Sequence, residues 1–144
     1  MAQEDTIYTK PFLRWAGGKS WLTKHLGTII GSQKFNNYYE PFLGGGAVFF
    51  YLSPSNNSLL SDLSPELIQT YRAIQEDPCK VIKYMEKYKN TSTDYYAVRK
   101  SQPTDNFEIA ARFIYLNQTS FNGLYPLRTI IVLVIVFLRK SICF

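Results

Sequence analysis

From Ser20 onward the apolar residues fall at helical spacing. Leu22, Leu26, Ile29 and Ile30 share one face, and Gly31 stands where a helix stop belongs. Asn37-Tyr38-Tyr39-Glu40 reads as a short strand running into the turn Pro41-Phe42-Leu43-Gly44-Gly45-Gly46. Ala47 to Leu52 then predicts a short helix closed by Ser53-Pro54, and Ser58 to Ser61 a second strand ending on Asp62. Ser64-Pro65 opens a helix with a serine cap and a proline in the first turn, and Leu67, Ile68, Tyr71 and Ile74 continue it. Asp77-Pro78 opens another by the same logic, carrying Val81, Ile82, Met85 and Tyr88. Asn90 to Asp94 reads as a polar loop. A further helix runs from about Phe107 to Asn117, with Ala110, Ala111 and Ile114 inward, and Asn122-Gly123 marks a turn. The order is a βαβ start followed by a run of helices, an α/β fold with a helical insertion.

The last stretch breaks the pattern. Ile130 to Leu138 is an unbroken apolar run, too short to span a bilayer as a helix and rich enough in β-branched residues for a buried strand. The nine residues before Lys10 are polar and carry no signal-peptide core, so a cytoplasmic location and no membrane partner are expected. Two distant cysteines and one histidine, His25, offer no paired spacing for zinc, so no metal is expected and His25 reads as a helix-surface residue. The formal net charge of +5 favours a polyanion, and the 16% aromatic share suits stacking on bases as well as it suits a tyrosine-rich core.

The glycine-rich turn carries the first chemistry. Glycines after a strand let a ligand approach the backbone without a Cβ in the way. A dinucleotide turn reads G-x-G-x-x-G, but Phe49 occupies the third glycine position here, and Glu40 before the turn repels a phosphate. Asp62, at the end of the next strand, is placed to accept from ribose hydroxyls. S-adenosylmethionine has a ribose, an amine and a sulfonium but no phosphate, and it suits two acids better than a nicotinamide dinucleotide does. An ordinary loop with Asp62 as a turn residue remains the alternative.

A second box lies upstream, Lys10-Pro11-Phe12-Leu13-Arg14-Trp15-Ala16-Gly17-Gly18-Lys19-Ser20. Gly18-Lys19-Ser20 mimics the end of a nucleotide-binding P-loop, yet Leu13 stands where that loop needs its first glycine, and no apolar strand precedes it. Trp15 offers a flat face for a ring or an aliphatic chain, and Lys19 a cation for a carboxylate. A core tryptophan and a lysine at a helix start would look the same.

Four segments together resemble the Dam-type, D12-class adenine-N6 DNA methyltransferases. Pro11 to Lys19 resembles their opening box. Tyr39 to Phe49 is similar to their E-P-F-x-G-x-G cofactor loop, Ser61 to Ile68 to their D-x-N-x-x-L-I motif, and Tyr115 to Tyr125 to their Y-L-N…F/Y-N-G-L segment. The resemblance implies a Rossmann-like, S-adenosylmethionine-dependent methyltransferase sheet with a helical target-recognition insertion. It implies cofactor contacts at Trp15, Lys19 and Asp62, with Phe42, Gly44 and Gly46 shaping the loop; Glu40, whose charge suits a cationic or hydroxyl-bearing ligand, joins them as a cofactor-site residue. It also implies double-stranded DNA as partner, met by Asn117, Phe121, Asn122 and Gly123 at a GATC-like site, with Phe121 wedging between bases. A restriction partner would be compatible with it.

The resemblance also exposes a gap. The family's chemistry needs D/N-P-P-Y/F, whose acid or amide oxygen and backbone carbonyl accept the hydrogens of adenine N6 while the aromatic ring stacks on the flipped base. No Pro-Pro occurs in these 144 residues, and Asp77-Pro78 only opens a helix. Three parts are therefore expected: residues 1–66 for the cofactor, 67–125 as the start of the DNA-binding insertion, and 126–144 as an apolar tail outside the family pattern, such as a frameshift would produce. The chain as written is expected to lack methyl-transfer activity. A non-catalytic remnant that holds S-adenosylmethionine or DNA is the alternative.

Overall fold

The structure, a computed structural model, describes residues 10–31, 33, 35–54 and 57–120. The expected turn at Asn122-Gly123, Phe121 and the apolar run Ile130–Leu138 lie outside the described residues.

The elements are α1 (Ser20–Ile30), β1 (Asn37–Glu40), α2 (Ala47–Leu52), β2 (Asn57–Leu60), α3 (Pro65–Glu76), α4 (Pro78–Met85), α5 (Ser92–Lys100) and α6 (Asn106–Thr119). Strands β1 and β2 pair in parallel with Tyr39 opposite Leu59 and Glu40 opposite Leu60. Helix α2 makes the crossover between them, so the unit is βαβ as expected. Burial alternates along both strands, with Glu40, Ser58 and Leu60 inward and Tyr39 and Leu59 outward. This is a small parallel sheet flanked by helices, a partial Rossmann-like arrangement.

The helix starts follow from their caps. The Ser64 hydroxyl accepts from Leu67 N, and Pro65 fills the first turn of α3. Asp77 caps α4 through Lys80 N, and Asp105 caps α6 through Phe107 and Glu108 N. Helix α6 is the central post. Ala110 and Ala111 are fully buried and let α3 and α4 come close, while Ile114 and Tyr115 fill the space against Ile74, Val81 and Met85. That same cluster includes Phe12, Leu13, Leu43, Phe49, Phe50 and Leu60, so the core is continuous across the division expected at residue 66, which falls inside α3.

Three local expectations need correction. Residues Asn90 to Asp94 do not form a plain loop: α5 begins at Ser92, with the Thr91 hydroxyl accepting from Asp94 N. Its single buried residue, Val98, gives too little apolar periodicity to signal a helix. Helix α4 closes at Met85, and Tyr88 lies beyond it, where its ring packs on Tyr115 with centroids 5.1 Å apart. On α1 the buried residues are Thr23 and Leu26, while Ile29 is exposed. Helix α1 packs on α2. His25 is exposed on α1, as expected.

Among the described residues no helix is long and apolar enough to cross a membrane.

Candidate functional site

Two parallel strands end side by side, and their carboxyl ends are where an open α/β sheet presents a ligand crevice. Glu40 is the last residue of β1, and Asp62 lies two residues past β2. The backbone ladder continues just beyond the strands, with Ser61 N donating to Glu40 O and Leu43 N to Ser61 O, both at 3.0 Å. The glycine turn is thereby tied to the second strand before it enters α2.

Asp62 completes the tie. One carboxylate oxygen accepts from Gly44 N at 2.9 Å and the other from Ser64 N at 3.0 Å. Each oxygen keeps a lone pair for another donor. Gly44 has φ +52°, and a Cβ built there would fall 2.7 Å from Trp15 Cδ1. Glycine is required twice over, by the backbone conformation and by the ring lying against it. Gly46, at φ +71°, has the other side of the turn at its back: a Cβ there would meet the Phe50 ring at 2.9 Å. Gly46 thus shapes the turn from the core side, and it does not line the cavity.

That cavity measures about 810 Å³, within the range of small-molecule sites. Trp15, Lys19, Glu40, Phe42, Gly44 and Asp62 all line it, so six of the seven expected cofactor-site residues meet around one space. Lys19 Nζ donates to the Phe42 carbonyl at 2.8 Å, bracing the turn from the opposite flank, and an ammonium has two further protons to offer. Phe42 is exposed at 66%.

Glu40 is the buried acid of the site. Tyr38, two residues before it on the same strand face, donates its hydroxyl to Glu40 Oε2 at 2.7 Å. Burial pushes the Glu40 carboxyl above its ordinary value, while the Tyr38 hydroxyl, the Lys19 charge and the Phe49 N–H pull it back down. Burial, with help from Glu40, pushes the Tyr38 phenol strongly upward, so it stays a donor. A cationic or hydroxyl-bearing ligand would relieve the desolvated carboxylate.

A second cleft of about 530 Å³ lies on the other side of the N-terminal box, and Arg14, Trp15 and Ala16 line both spaces. Arg14, Arg99 and Arg112 line it, with one acid, Glu66, and with Tyr95, Asn117 and Ser120. Arg112 also caps α5, donating to Val98 O at 2.9 Å and Arg99 O at 2.7 Å. The sequence does not single out these arginines, because Arg14, Arg99 and Arg112 stand in three separate segments and α5 carries little apolar periodicity. Asn117, expected among the DNA contacts, lines this cleft and engages its amide with backbone. It accepts from Arg14 N at 2.9 Å and donates to Arg14 O at 2.8 Å. Phe121, Asn122 and Gly123 lie outside the described residues.

Residues 15–130 match the D12 class N6 adenine-specific DNA methyltransferase family. The type II methyltransferase M1.LlaDCHI of Lactococcus lactis subsp. cremoris is 35% identical over 133 residues, covering 87% of this chain and 46% of that protein. The type II methyltransferase M.CviBI of Paramecium bursaria Chlorella virus NC1A is 38% identical over 117 residues, covering 80% of this chain and 45% of its own length. A DNA adenine methylase of Haemophilus influenzae is 37% identical over 123 residues, covering 80% and 42%. The chain therefore spans less than half the length of these relatives. With most of its length inside the family match, the chain belongs to the D12 class of N6 adenine-specific DNA methyltransferases.

Proposed function

We propose that this chain supplies the S-adenosylmethionine-binding half of a methyltransferase acting on adenine N6 in double-stranded DNA. The observation that carries the reading is the convergence of Trp15, Lys19, Glu40 and Asp62 on one cavity at the carboxyl ends of two parallel strands. The residues present fit the cofactor. Gly44 lets the Trp15 ring lie against the turn as a wall of the cavity, and two carboxylates and the Lys19 ammonium line that cavity, a donor set suited to an adenosyl amino acid.

In this reading Asp62 accepts from the ribose hydroxyls with the lone pairs its backbone partners leave over. Lys19 meets the carboxylate and Glu40 the ammonium of the amino-acid end. Trp15 walls the cavity and excludes water from one side. When bound, the cofactor supplies an electrophilic methyl group on its sulfonium. The chain's share of the work is to hold that group in a fixed place, where orientation alone lowers the barrier. The three arginines of the second cleft would face the phosphate backbone, which supplies most of the sequence-independent affinity of DNA binding. Phe121, Asn122 and Gly123 would contact the duplex, and a GATC-like site is the proposed target.

The acceptor motif D/N-P-P-Y/F is absent from the 144 residues. The chain by itself is therefore proposed to bind without turnover. Incubation with tritiated S-adenosylmethionine and double-stranded DNA tests this. Bound but untransferred cofactor is the expected result, and label in adenine would replace the binding-only reading with an active enzyme.

A further inference from the structure

We propose that Asn117 is a positioning residue that couples occupancy of the cofactor cavity to occupancy of the arginine-lined cleft, an inference that rests on the function proposed above. The side-chain amide of Asn117 closes a two-bond pair on the backbone of Arg14, with its oxygen 2.9 Å from Arg14 N and its nitrogen 2.8 Å from Arg14 O. Both polar groups of one peptide residue are satisfied by a single side chain from the end of α6. The next residue of the helix repeats the grip, Gln118 Nε2 donating to the Phe12 carbonyl. The last turn of α6 therefore holds the N-terminal box at alternate residues.

What the box carries gives the grip its consequence. Trp15 follows Arg14 directly, lines both spaces, and lies so close to the turn that a Cβ at Gly44 would fall 2.7 Å from its ring. Gly44 N in turn donates to Asp62. A continuous chain of contacts thus runs from the end of α6 through Arg14 and Trp15 to the glycine turn and the acid beside it. Asn117 itself lines the cleft. A polyanion that settles between Arg14 and Arg99 fixes the Asn117 pair, and through Trp15 it fixes the wall of the cofactor cavity. Linkage makes the effect reciprocal: whatever factor DNA adds to cofactor affinity, the cofactor adds to DNA affinity.

The test is a binding cycle on the 144-residue chain, using S-adenosylhomocysteine and a short double-stranded oligonucleotide carrying GATC. Wild-type protein is expected to bind S-adenosylhomocysteine roughly five-fold or more tightly with the duplex present than without it. In Asn117→Ala that ratio falls to about one at duplex concentrations that saturate the variant, while S-adenosylhomocysteine still binds without duplex. Asn117→Asp keeps the shape and the acceptor but loses the donor, and it gives the same collapse should the alanine variant not fold. A wild-type ratio of one, or an unchanged ratio in a folded variant, overturns the coupling and leaves the proposed function standing. A wild-type chain that takes up no S-adenosylhomocysteine overturns both.

Discussion

Trp15 lies directly against Gly44. A methyl group at Gly44 would sit 2.7 Å from Trp15 Cδ1 and 3.1 Å from Nε1, at a backbone angle of φ +52°. Two distant parts of the sequence, the N-terminal box and the glycine turn, thereby form one wall of the cavity.

Gly44→Ala is expected to fail on both counts. The left-handed backbone costs an alanine about 1–2 kcal/mol, and forcing a methyl into packed space adds about 1–3 kcal/mol. Urea unfolding should show the loss, and calorimetry should show weakened S-adenosylhomocysteine binding. In a Trp15→Ala background the steric part disappears, so the second substitution costs less there. Strict additivity of the two would show that the ring and the turn do not touch in solution.

Glu40 gives the site a pH dependence. Its folded pKa is raised above the usual carboxylate value of 4.5, first by burial. The folded chain therefore holds the proton to higher pH than the unfolded chain does. The stabilising contribution is complete below 4.5 and is lost as pH rises through the raised value. A ligand ammonium favours the ionised form, so cofactor binding should tighten across the same window and release a proton. Glu40→Gln should flatten both the thermal-stability profile and the binding profile at acid pH. Identical slopes in wild type and variant would remove Glu40 from the account.

Arg99→Ala tests the second cleft. Each phosphate contact contributes about one unit to the slope of log K against log salt. The variant should bind duplex DNA more weakly, with a slope shallower by about that amount, and should bind S-adenosylhomocysteine alone as wild type does. An unchanged slope would place Arg99 away from the backbone.

Ile114→Ala tests the core that supports both spaces. Ile114 is fully buried in α6 among residues of α3 and α4. Truncating it should cost about 2–5 kcal/mol, lost transfer energy and cavity together. Denaturant unfolding measures it. A loss well under 1 kcal/mol would mean that α6 is not the post on which the helices pack.

Much of this was legible before any coordinates. Ser64-Pro65 and Asp77-Pro78 announced α3 and α4 because capping and proline geometry act locally. Glu40 and Asp62 are legible as neighbours because the order of strand, turn and strand puts them at adjacent strand ends, whereas the place of Trp15 and Lys19 at the same cavity is what the family resemblance implies. Helix α5 was illegible because it buries only Val98, so its apolar pattern is nearly silent. The exposure of Ile29 is not legible because helical spacing shows which residues share a face, not what covers that face. The arginine cleft was hidden because Arg14, Arg99 and Arg112 come from three segments that only tertiary packing brings together. Asn117 sat inside a recognisable segment, but its inward engagement with Arg14 depends on a contact 103 residues away.

The central claim is that an adenosyl ligand is held between the glycine turn and the N-terminal box. Calorimetric titration of the folded 144-residue chain with S-adenosylhomocysteine, beside Asp62→Ala, tests it most directly. The account predicts one saturable site in wild type and at least a ten-fold loss in the variant, the size of about one charge-assisted hydrogen bond. Absence of any binding heat from a demonstrably folded wild-type chain, or equal affinity in Asp62→Ala, would contradict it.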